Sequence, residues 1–177
     1  MSLKPKFWNA DKIVSFSAIL ISLATMAIYL YQTHLIQKQQ HASVMPYLRM
    51  EYAYYEGGFD FRVSNEGLGP AFIEEVNTYY KGKKYANTDI SGFYLNTYSK
   101  IDTTINSMYL NGIGKPMLMP AGKTIDLFWR HNDTKMAPKL YKLFSSKDLV
   151  LEIKYSSIYE NKWVVKGVSS KPTKIED

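Results

Sequence analysis

Cysteine is missing from all 177 residues of this sequence. A disulfide framework, a thiolate metal site and a cysteine nucleophile are therefore excluded. The absence does not select a compartment, because a cysteine-free domain is stable in oxidising and in reducing surroundings. Arginine is scarce as well, with three residues, so lysine carries most of the net charge of +6. Lysine lacks the planar fork with which arginine binds phosphate.

Histidine is also rare, occurring only at His34, His41 and His131. His34 and His41 are seven residues apart, which is too far for a shared metal ion on one helix. His131 lies in a polar loop with Asp133 nearby, and a tethered hydrolase would need it to converge with carboxylates that the sequence does not nominate. The sequence therefore predicts a protein that is not an enzyme and that has no metal or other cofactor.

Nucleotide-binding motifs are missing too. The stretch SNEGLGPAFIEEV, residues 64–76, lacks the third glycine of a dinucleotide-binding fingerprint and the Gly-Lys-Ser/Thr of a phosphate-binding loop. Asn65, Gly67 and Gly69 can adopt positive φ. We therefore interpret the stretch as a tight turn that leads into a strand over residues 71–80.

The sequence does contain one long uncharged run, from Ile13 to Thr33. These 21 residues would form a helix about 31 Å long, close to the hydrocarbon thickness of a bilayer. Secretory signal peptides have shorter apolar cores, and Thr25 and Ala27 make a poor cleavage pair. The run is therefore predicted to be a retained transmembrane helix, with the lipid bilayer as its partner.

The flanks of this helix extend the prediction. Residues 1–12 form an N-terminal flank, and residues 34–45 contain good helix formers, so we expect a juxtamembrane helix that ends before Pro46. Three lysines precede the run, whereas Lys38 and Arg49 follow it. This small excess of positive charge favours a cytoplasmic N-terminus and an exported C-terminal domain, and the opposite orientation stays open.

Small residues recur on one face of the predicted transmembrane helix. They are spaced three or four apart, at Ser15, Ala18, Ser22 and Thr25. This spacing lets two transmembrane helices approach closely, although small residues are common in such helices in any case. We treat the four as candidate packing residues and expect self-association or a protein partner in the membrane.

From Pro46 onwards the hydrophobic residues alternate with a period of two, which is typical of β-strands. Alternating runs around Gly57 and Gly58 predict a β-hairpin with one buried face, and KGKK, residues 81–84, predicts another corner. A third hairpin is predicted over residues 149–168.

The middle of the chain is harder to interpret. A Pro-Ala-Gly turn precedes a predicted strand that contains Ile125, Leu127 and Trp129. A short helix is predicted to have Pro138 in its first turn. Residues 93–111 have apolar residues at helical spacing but many threonines, asparagines and aromatics, so an amphipathic helix and an irregular excursion are both retained.

These elements predict a mainly β protein, in which an N-terminal transmembrane helix precedes an antiparallel β-sandwich or partly open barrel with one or two short helical insertions. An α+β fold is the alternative. The soluble domain is expected to span residues 46–168, and the polar residues 169–177 to form a flexible tail.

Lysines alternate with aromatic residues in two stretches of the soluble domain. Bases stack on Tyr or Trp beside lysine in many sites for nucleotides and single strands. A nucleotide-like anion is therefore a candidate ligand, with these candidate residues: Lys81, Lys83, Lys84, Lys162, Trp163 and Lys166.

Two segments, YQTHLIQKQQHASVMPYL and VSNEGLGPAFIEEV, resemble parts of small uncharacterised bacterial membrane proteins, in which one N-terminal span precedes a compact β-rich domain. The resemblance covers residues 12–80 and implies a bacterial source, hence the cytoplasmic (inner) membrane, but no activity. The predicted function is a membrane-anchored, non-enzymatic β-domain that acts as an interaction or assembly module. The alternative is a membrane-associated sensor or effector whose cytoplasmic β domain binds a nucleotide-like anion.

Overall fold

The first unit of the chain is built around one helix. The computed structural model describes residues 9–101, 109–130 and 133–175. The chain divides into two compact units, Met1–Ala42 and Ser43–Asp177. Helix α1, Ala10–Ser43, is the one helix in these described ranges that is long and apolar enough to cross a membrane. None of its residues is buried.

Four hydroxyl groups of α1 donate hydrogen bonds within the helix itself. The side chains of Ser15, Ser17, Thr25 and Thr33 each donate to the carbonyl oxygen four residues earlier, at 2.8 to 2.9 Å. Because each of these four hydroxyl groups has an acceptor within the helix, none of them needs water as a partner. This arrangement suits an apolar environment. The helix reaches Ser43, as the helix-forming residues before Pro46 predict.

The second unit consists of two antiparallel sheets and short helices, which confirms the mainly β prediction. The first sheet has the strand order β1-β2-β7-β5; the second has the order β10-β9-β8-β3-β4, with β6 also paired to β3. The strands are β1 Leu48–Tyr55, β2 Gly58–Asn65, β3 Ala71–Tyr80, β4 Lys83–Tyr85, β5 Tyr109–Leu110, β6 Met117–Met119, β7 Thr124–Arg130, β8 Leu149–Ser156, β9 Lys162–Lys166 and β10 Thr173–Ile175.

The predicted hairpins are confirmed. β1 pairs with β2, β3 with β4 and β8 with β9. The predicted inward residues Phe59, Phe61 and Val63 of β2 are at most 1% exposed. In the corner between β3 and β4, Lys81 and Gly82 both have positive φ, as a two-residue hairpin turn requires.

Strand β7 differs from its predicted alternation. Leu127 is an extra residue between the pairs Phe61–Phe128 and Arg62–Asp126, so it forms a β-bulge. Beyond the bulge the faces exchange: Phe128 is buried in the core, whereas Trp129 stacks on Tyr109 with ring centroids 5.2 Å apart. The predicted strand is confirmed, and the bulge is a feature that sequence alternation does not reveal.

Short helices fill the connections. α2 spans Ile90–Phe93, a single π-helical turn spans Tyr94–Tyr98, and α3 spans Ser99–Ile101. The ambiguous stretch 93–111 is thus helical up to Ile101 and extended in β5; residues 102–108 lie outside the described part. α4, Ala137–Ser145, has Pro138 in its first turn, as predicted.

One hydrophobic cluster forms the core of this unit. Phe144 of α4 contacts three phenylalanines of the first sheet, with centroid distances of 5.0 Å to Phe59, 4.9 Å to Phe61 and 5.2 Å to Phe128. The helix therefore contributes to the same core as the strands.

The end of the chain also differs from its prediction. Thr173–Ile175 forms β10, which pairs with Val164, Trp163 and Lys162 of β9. The structure thus places three residues of the predicted tail, 169–177, in an edge strand. Their pairing rests on backbone hydrogen bonds, which a polar edge strand can form without a hydrophobic pattern.

Candidate functional site

The residues predicted to bind an anion lie on one sheet but in two groups. Lys81, Lys83 and Lys84 belong to the β3–β4 corner and to β4, whereas the other three belong to β9. Strands β3 and β8 lie between the groups. The intervening side chains therefore decide whether the lysines can act together.

Glu152 of β8 occupies the space between these groups. Its carboxylate accepts hydrogen bonds from Asn77 Nδ2 at 3.2 Å and from Tyr79 Oη at 3.2 Å. Lys166 Nζ lies 3.4 Å from the same carboxylate and 4.0 Å from the centre of the Tyr79 ring. The charge of Lys166 is thus balanced by the carboxylate of Glu152, whose side chain is 10% exposed. This lysine therefore already has an anionic partner within the protein.

A second ion pair lies on the same face. Lys154 Nζ is 3.0 Å from the Glu75 carboxylate, which Asn77 Nδ2 also approaches at 3.4 Å. The hydrogen bond from Lys154, followed by that from Asn77, lowers the pKa of Glu75. The same pair raises the pKa of Lys154. Lys154 and Glu75 therefore balance each other's charge on this face of the sheet.

Trp163 is not an exposed stacking surface. It is 7% exposed, and its ring stacks on Tyr155 at 5.9 Å inside the core. A base could reach this ring only if the core opened. Trp163 lies inside the core because inward and outward positions alternate along β9 and Trp163 occupies an inward one.

Lys81 instead lies beside a groove that the sequence did not reveal. The groove has a volume of about 350 Å³ and is lined by Tyr80, Lys81, Tyr98, Lys139 and Lys142, among other residues. Lys139 and Lys142 are three apart on α4, so they share a face of that helix. Their spacing was visible in the sequence, but their proximity to Lys81 depends on how α4 packs.

Asp133, which could have oriented His131, has other partners. Its carboxylate accepts from the backbone N–H of Met136 at 2.9 Å and of Lys135 at 3.1 Å, and from Arg130 Nη2 at 2.8 Å. These bonds, led by that from Met136, lower the pKa of Asp133. Asp133 therefore serves the start of α4, and His131 lies outside the described residues.

Metal binding has no support from the described side chains. Within residues 9–101, 109–130 and 133–175, no group of three or more His, Asp or Glu residues could hold a metal ion. His34 and His41 are exposed on α1. The predictions of no metal and no catalysis remain predictions.

The point at which the chain enters the second unit is organised by Asn65. Its Oδ1 accepts from the N–H of Tyr47 and of Gly67, both at 3.1 Å. Its Nδ2 donates to the carbonyls of Gly69 at 2.9 Å and of Met119 at 3.0 Å. One fully buried side chain thus joins the entering chain, the loop after β2 and strand β6. Sequence reasoning missed this role, because it interpreted Asn65 as a turn residue.

The two glycines of this loop are needed for close approach and not for positive φ. A Cβ atom on Gly67 would collide with the backbone nitrogen of Tyr47, and one on Gly69 with the carbonyl oxygen of Val44. Neither glycine, nor Asn65, is among the described residues with positive φ. The tight connection is confirmed, but its physical reason differs from the prediction.

Tyr155 ties β8 to the same entering chain. Its buried hydroxyl oxygen accepts from the backbone N–H of Leu48 at 3.3 Å. Burial raises the pKa of Tyr155 to about 12. We call this end of the unit the entry end and define it by residues 43–47, the loop 66–70, β6 and the turn 157–161.

A groove opens at the entry end. It has a volume of about 870 Å³, and its lining includes Phe72, Pro116, Ile158, Lys115 and Lys162. Phe72 of β3 pairs with Leu118 of β6 and with Ser156 of β8, so the groove lies where three strands end or begin. The apolar lining with charged residues beside it makes this a candidate docking surface.

The candidate packing residues of α1 are all exposed: Ser15, Ala18, Ser22 and Thr25. A shallow groove on the helix surface includes Ser22, Thr25, Tyr29 and Thr33. Their role in helix packing remains a prediction.

Comparison with known proteins assigns the chain to a family. No curated protein matches the sequence. One family model, described as a domain of unknown function, DUF8453, matches residues 11–171. The match includes most of α1 and all of the β-rich unit except its last strand. The chain therefore belongs to the DUF8453 family.

Proposed function

We propose that this protein is a membrane-anchored, non-enzymatic β-domain that acts as an interaction or assembly module at the bacterial cytoplasmic membrane. The observation that carries the anchor is α1, whose apolar side chains are exposed on every side. An uncharged helix of this length suits the bilayer. A tether confines the β domain to the membrane and raises its effective concentration for partners there.

Self-association through α1 is the most specific form of this proposal. The small residues at Ser15, Ala18, Ser22 and Thr25 would let two copies of the helix approach closely. Thr25 already donates to Ile21, so packing of backbones and not an interhelical hydroxyl bond would drive contact.

Disulfide crosslinking in native membranes tests this contact, since the chain has no cysteine of its own. Full-length Ser22→Cys is compared with Leu20→Cys, which lies on the opposite side of the helix at about 100° per residue. We expect an oxidised dimer from Ser22→Cys and little from Leu20→Cys. Equal crosslinking of both variants, or of neither, would contradict the packing face.

Anion binding by a cytoplasmic β domain is the second candidate function. The observation that favours it is the groove in which Lys81, Lys139 and Lys142 lie beside two tyrosines. It requires a cytoplasmic domain, whereas the flanking charges favour an exported one.

A reporter fused to the C-terminus decides the side of the membrane, and ATP and pyrophosphate are suitable binding probes for calorimetry. Lys139→Ala with Lys142→Ala should weaken binding at least tenfold, whereas Lys123→Ala, whose backbone pairs with Asn65 at the entry end, should not. An exported C-terminus, or binding that is unchanged in the double variant, would contradict this function.

A further inference from the structure

We propose that the entry end of the β domain rests on the bilayer, with its exposed apolar side chains at the level of the lipid headgroups and the first acyl carbons. This inference rests on the proposed membrane anchor. It adds that the β domain itself has a lipid-facing surface, so α1 is not its one contact with the membrane.

The first argument is the distribution of exposed apolar side chains. Apart from tyrosines, the exposed large hydrophobic residues described in the second unit are Met45, Leu68, Phe72, Leu95, Leu118 and Ile158. All except Leu95 belong to the entry end or, for Phe72, pair directly with it. The exposed large residues elsewhere are mostly tyrosines, which have a polar group to offer water: Tyr54, Tyr55, Tyr109 and Tyr141.

The second argument is that separate segments supply these side chains to one end. The N–H of Leu68 donates to the carbonyl of Met45 at 3.0 Å. Leu118 is the cross-strand partner of Phe72, and Ile158 follows the end of β8. Leu68 is 75% exposed and Leu118 is 51% exposed. Segments that the fold holds together thus present apolar side chains that the core does not use.

The third argument concerns charge. The groove lining contains Lys115 and Lys162 but also Glu74 and Glu160, so its formal charges cancel. A balanced rim with apolar side chains and Tyr159 suits the interfacial zone of a bilayer, where aromatic and long charged side chains reach headgroups. Binding should therefore depend little on anionic lipid.

The tether must allow this contact. From His34 to Ser43, α1 rises about 15 Å beyond the predicted span, whereas one headgroup layer is roughly 5–8 Å thick. A tilt of about 40°, the upper end for transmembrane helices, shortens this rise only to about 11 Å. The contact therefore requires the segment from residue 34 to residue 43 to incline by about 60° from the membrane normal, beyond the tilt of the membrane-spanning part. A strongly inclined juxtamembrane segment is a consequence of the proposal.

The test uses the full-length protein in phosphatidylcholine nanodiscs, with one nitroxide label at a time on an introduced cysteine. Leu118→Cys and Ile158→Cys report on the entry end, Leu23→Cys reports on the anchor, and Lys147→Cys reports on the far end of β8. Power saturation with oxygen and with a water-soluble nickel complex gives the depth of each label. The measurement is repeated with 30% phosphatidylglycerol.

We expect the labels at 118 and 158 to lie within about 5 Å of the phosphate level in both lipid mixtures, and the label at 147 to be fully aqueous. Labels at 118 and 158 that are as aqueous as 147, while 23 lies in hydrocarbon, would overturn the inference and leave the anchor intact. Labels shielded from both reagents would mean that protein covers this surface, which also overturns it. A label at residue 23 that is exposed to water would contradict the proposed membrane anchor itself.

Discussion

Helix α1 and the β domain contain the same kinds of apolar residue in opposite surroundings. Phe16 of α1 is 54% exposed, whereas Phe128 of β7 is 1% exposed. Leu23 and Leu140 differ in the same way, at 57% and 0%. The β domain thus has a buried hydrophobic core, whereas no residue of α1 is buried.

The difference has an energetic consequence. Twelve large hydrophobic side chains between Ile13 and Tyr31 are exposed. At about 1.5 to 3 kcal/mol for a fully exposed side chain, and with each of these between 48% and 67% exposed, leaving them in water would cost about 10–20 kcal/mol, which is comparable with the stability of a typical domain. The comparison teaches that the apolar side chains of α1 need apolar surroundings outside the protein. Those of the β domain have such surroundings in its own hydrophobic core.

The largest expected effect comes from charging the middle of α1. Leu20→Arg with Leu23→Arg should cost about 5–7 kcal/mol of membrane insertion, since each arginine near the centre costs about 3 kcal/mol. The full-length variant should leave the carbonate-resistant membrane fraction. The control Gln37→Arg with Gln39→Arg, beyond the predicted span, should remain in the membrane fraction. If both double variants leave that fraction, or if both remain in it, the proposed difference between α1 and the β domain is contradicted.

A matched pair of phenylalanine substitutions comes next. Phe128→Ala should destabilise the β domain by about 3–5 kcal/mol, because it opens a cavity among Phe59, Phe144 and Tyr94. Phe16→Ala should change the unfolding free energy of the β domain by less than about 0.5 kcal/mol. Urea titration of the full-length protein in detergent micelles, followed by tryptophan fluorescence, measures both. Similar losses from the two would show that α1 is part of the core.

Removing the Asn65 side chain should have a somewhat smaller effect. Asn65→Ala leaves buried backbone groups at the entry end without partners, which we expect to cost about 2–4 kcal/mol in the same titration. Asn96→Ala, at an exposed position of the π-helical turn, is the control and should cost little. A neutral Asn65→Ala would show that water replaces the amide and that the entry end is more open than the structure indicates.

Tyr155→Phe should have the smallest effect and a distinct pH dependence. It removes the acceptor for the N–H of Leu48, at a cost of about 1–3 kcal/mol near neutral pH. The folded-state pKa of Tyr155 is raised to about 12 from an ordinary value near 10. Its contribution is therefore complete below pH 10 and is lost as pH rises towards 12.

The alkaline loss of stability should consequently be smaller in Tyr155→Phe than in the wild type. Stability curves between pH 8 and 12 measure it, and Tyr109→Phe, at a 62% exposed position, should follow the wild type. Parallel curves for Tyr155→Phe and the wild type would contradict the burial of the hydroxyl.

Much of the fold could be predicted because its signals are local. The alternation of residues 71–80 and the turn before them give strand β3 its observed bounds, Ala71–Tyr80. The hairpins around Gly57 and Gly82 follow from turn chemistry in the same way. The bulge at Leu127 could not be predicted, because it depends on the register between β2 and β7.

The candidate surfaces were predicted less well, since they depend on neighbours across strands. Lys166 was interpreted as a cation for a ligand, but Glu152 on the adjacent strand pairs with it. The sequence does not distinguish Lys139 and Lys142 from other lysines, although α4 places them in one groove with Lys81. No local pattern encodes these partners.

By itself the sequence determined that this protein has one long apolar helix followed by a β-rich domain, because hydrophobic length and periodicity are properties of consecutive residues. Only the tertiary structure decided which polar groups meet and which apolar side chains the core leaves exposed at the entry end. These outcomes depend on strand register and on the packing of loops such as the one that Asn65 holds, and both arise from contacts between residues far apart in the chain.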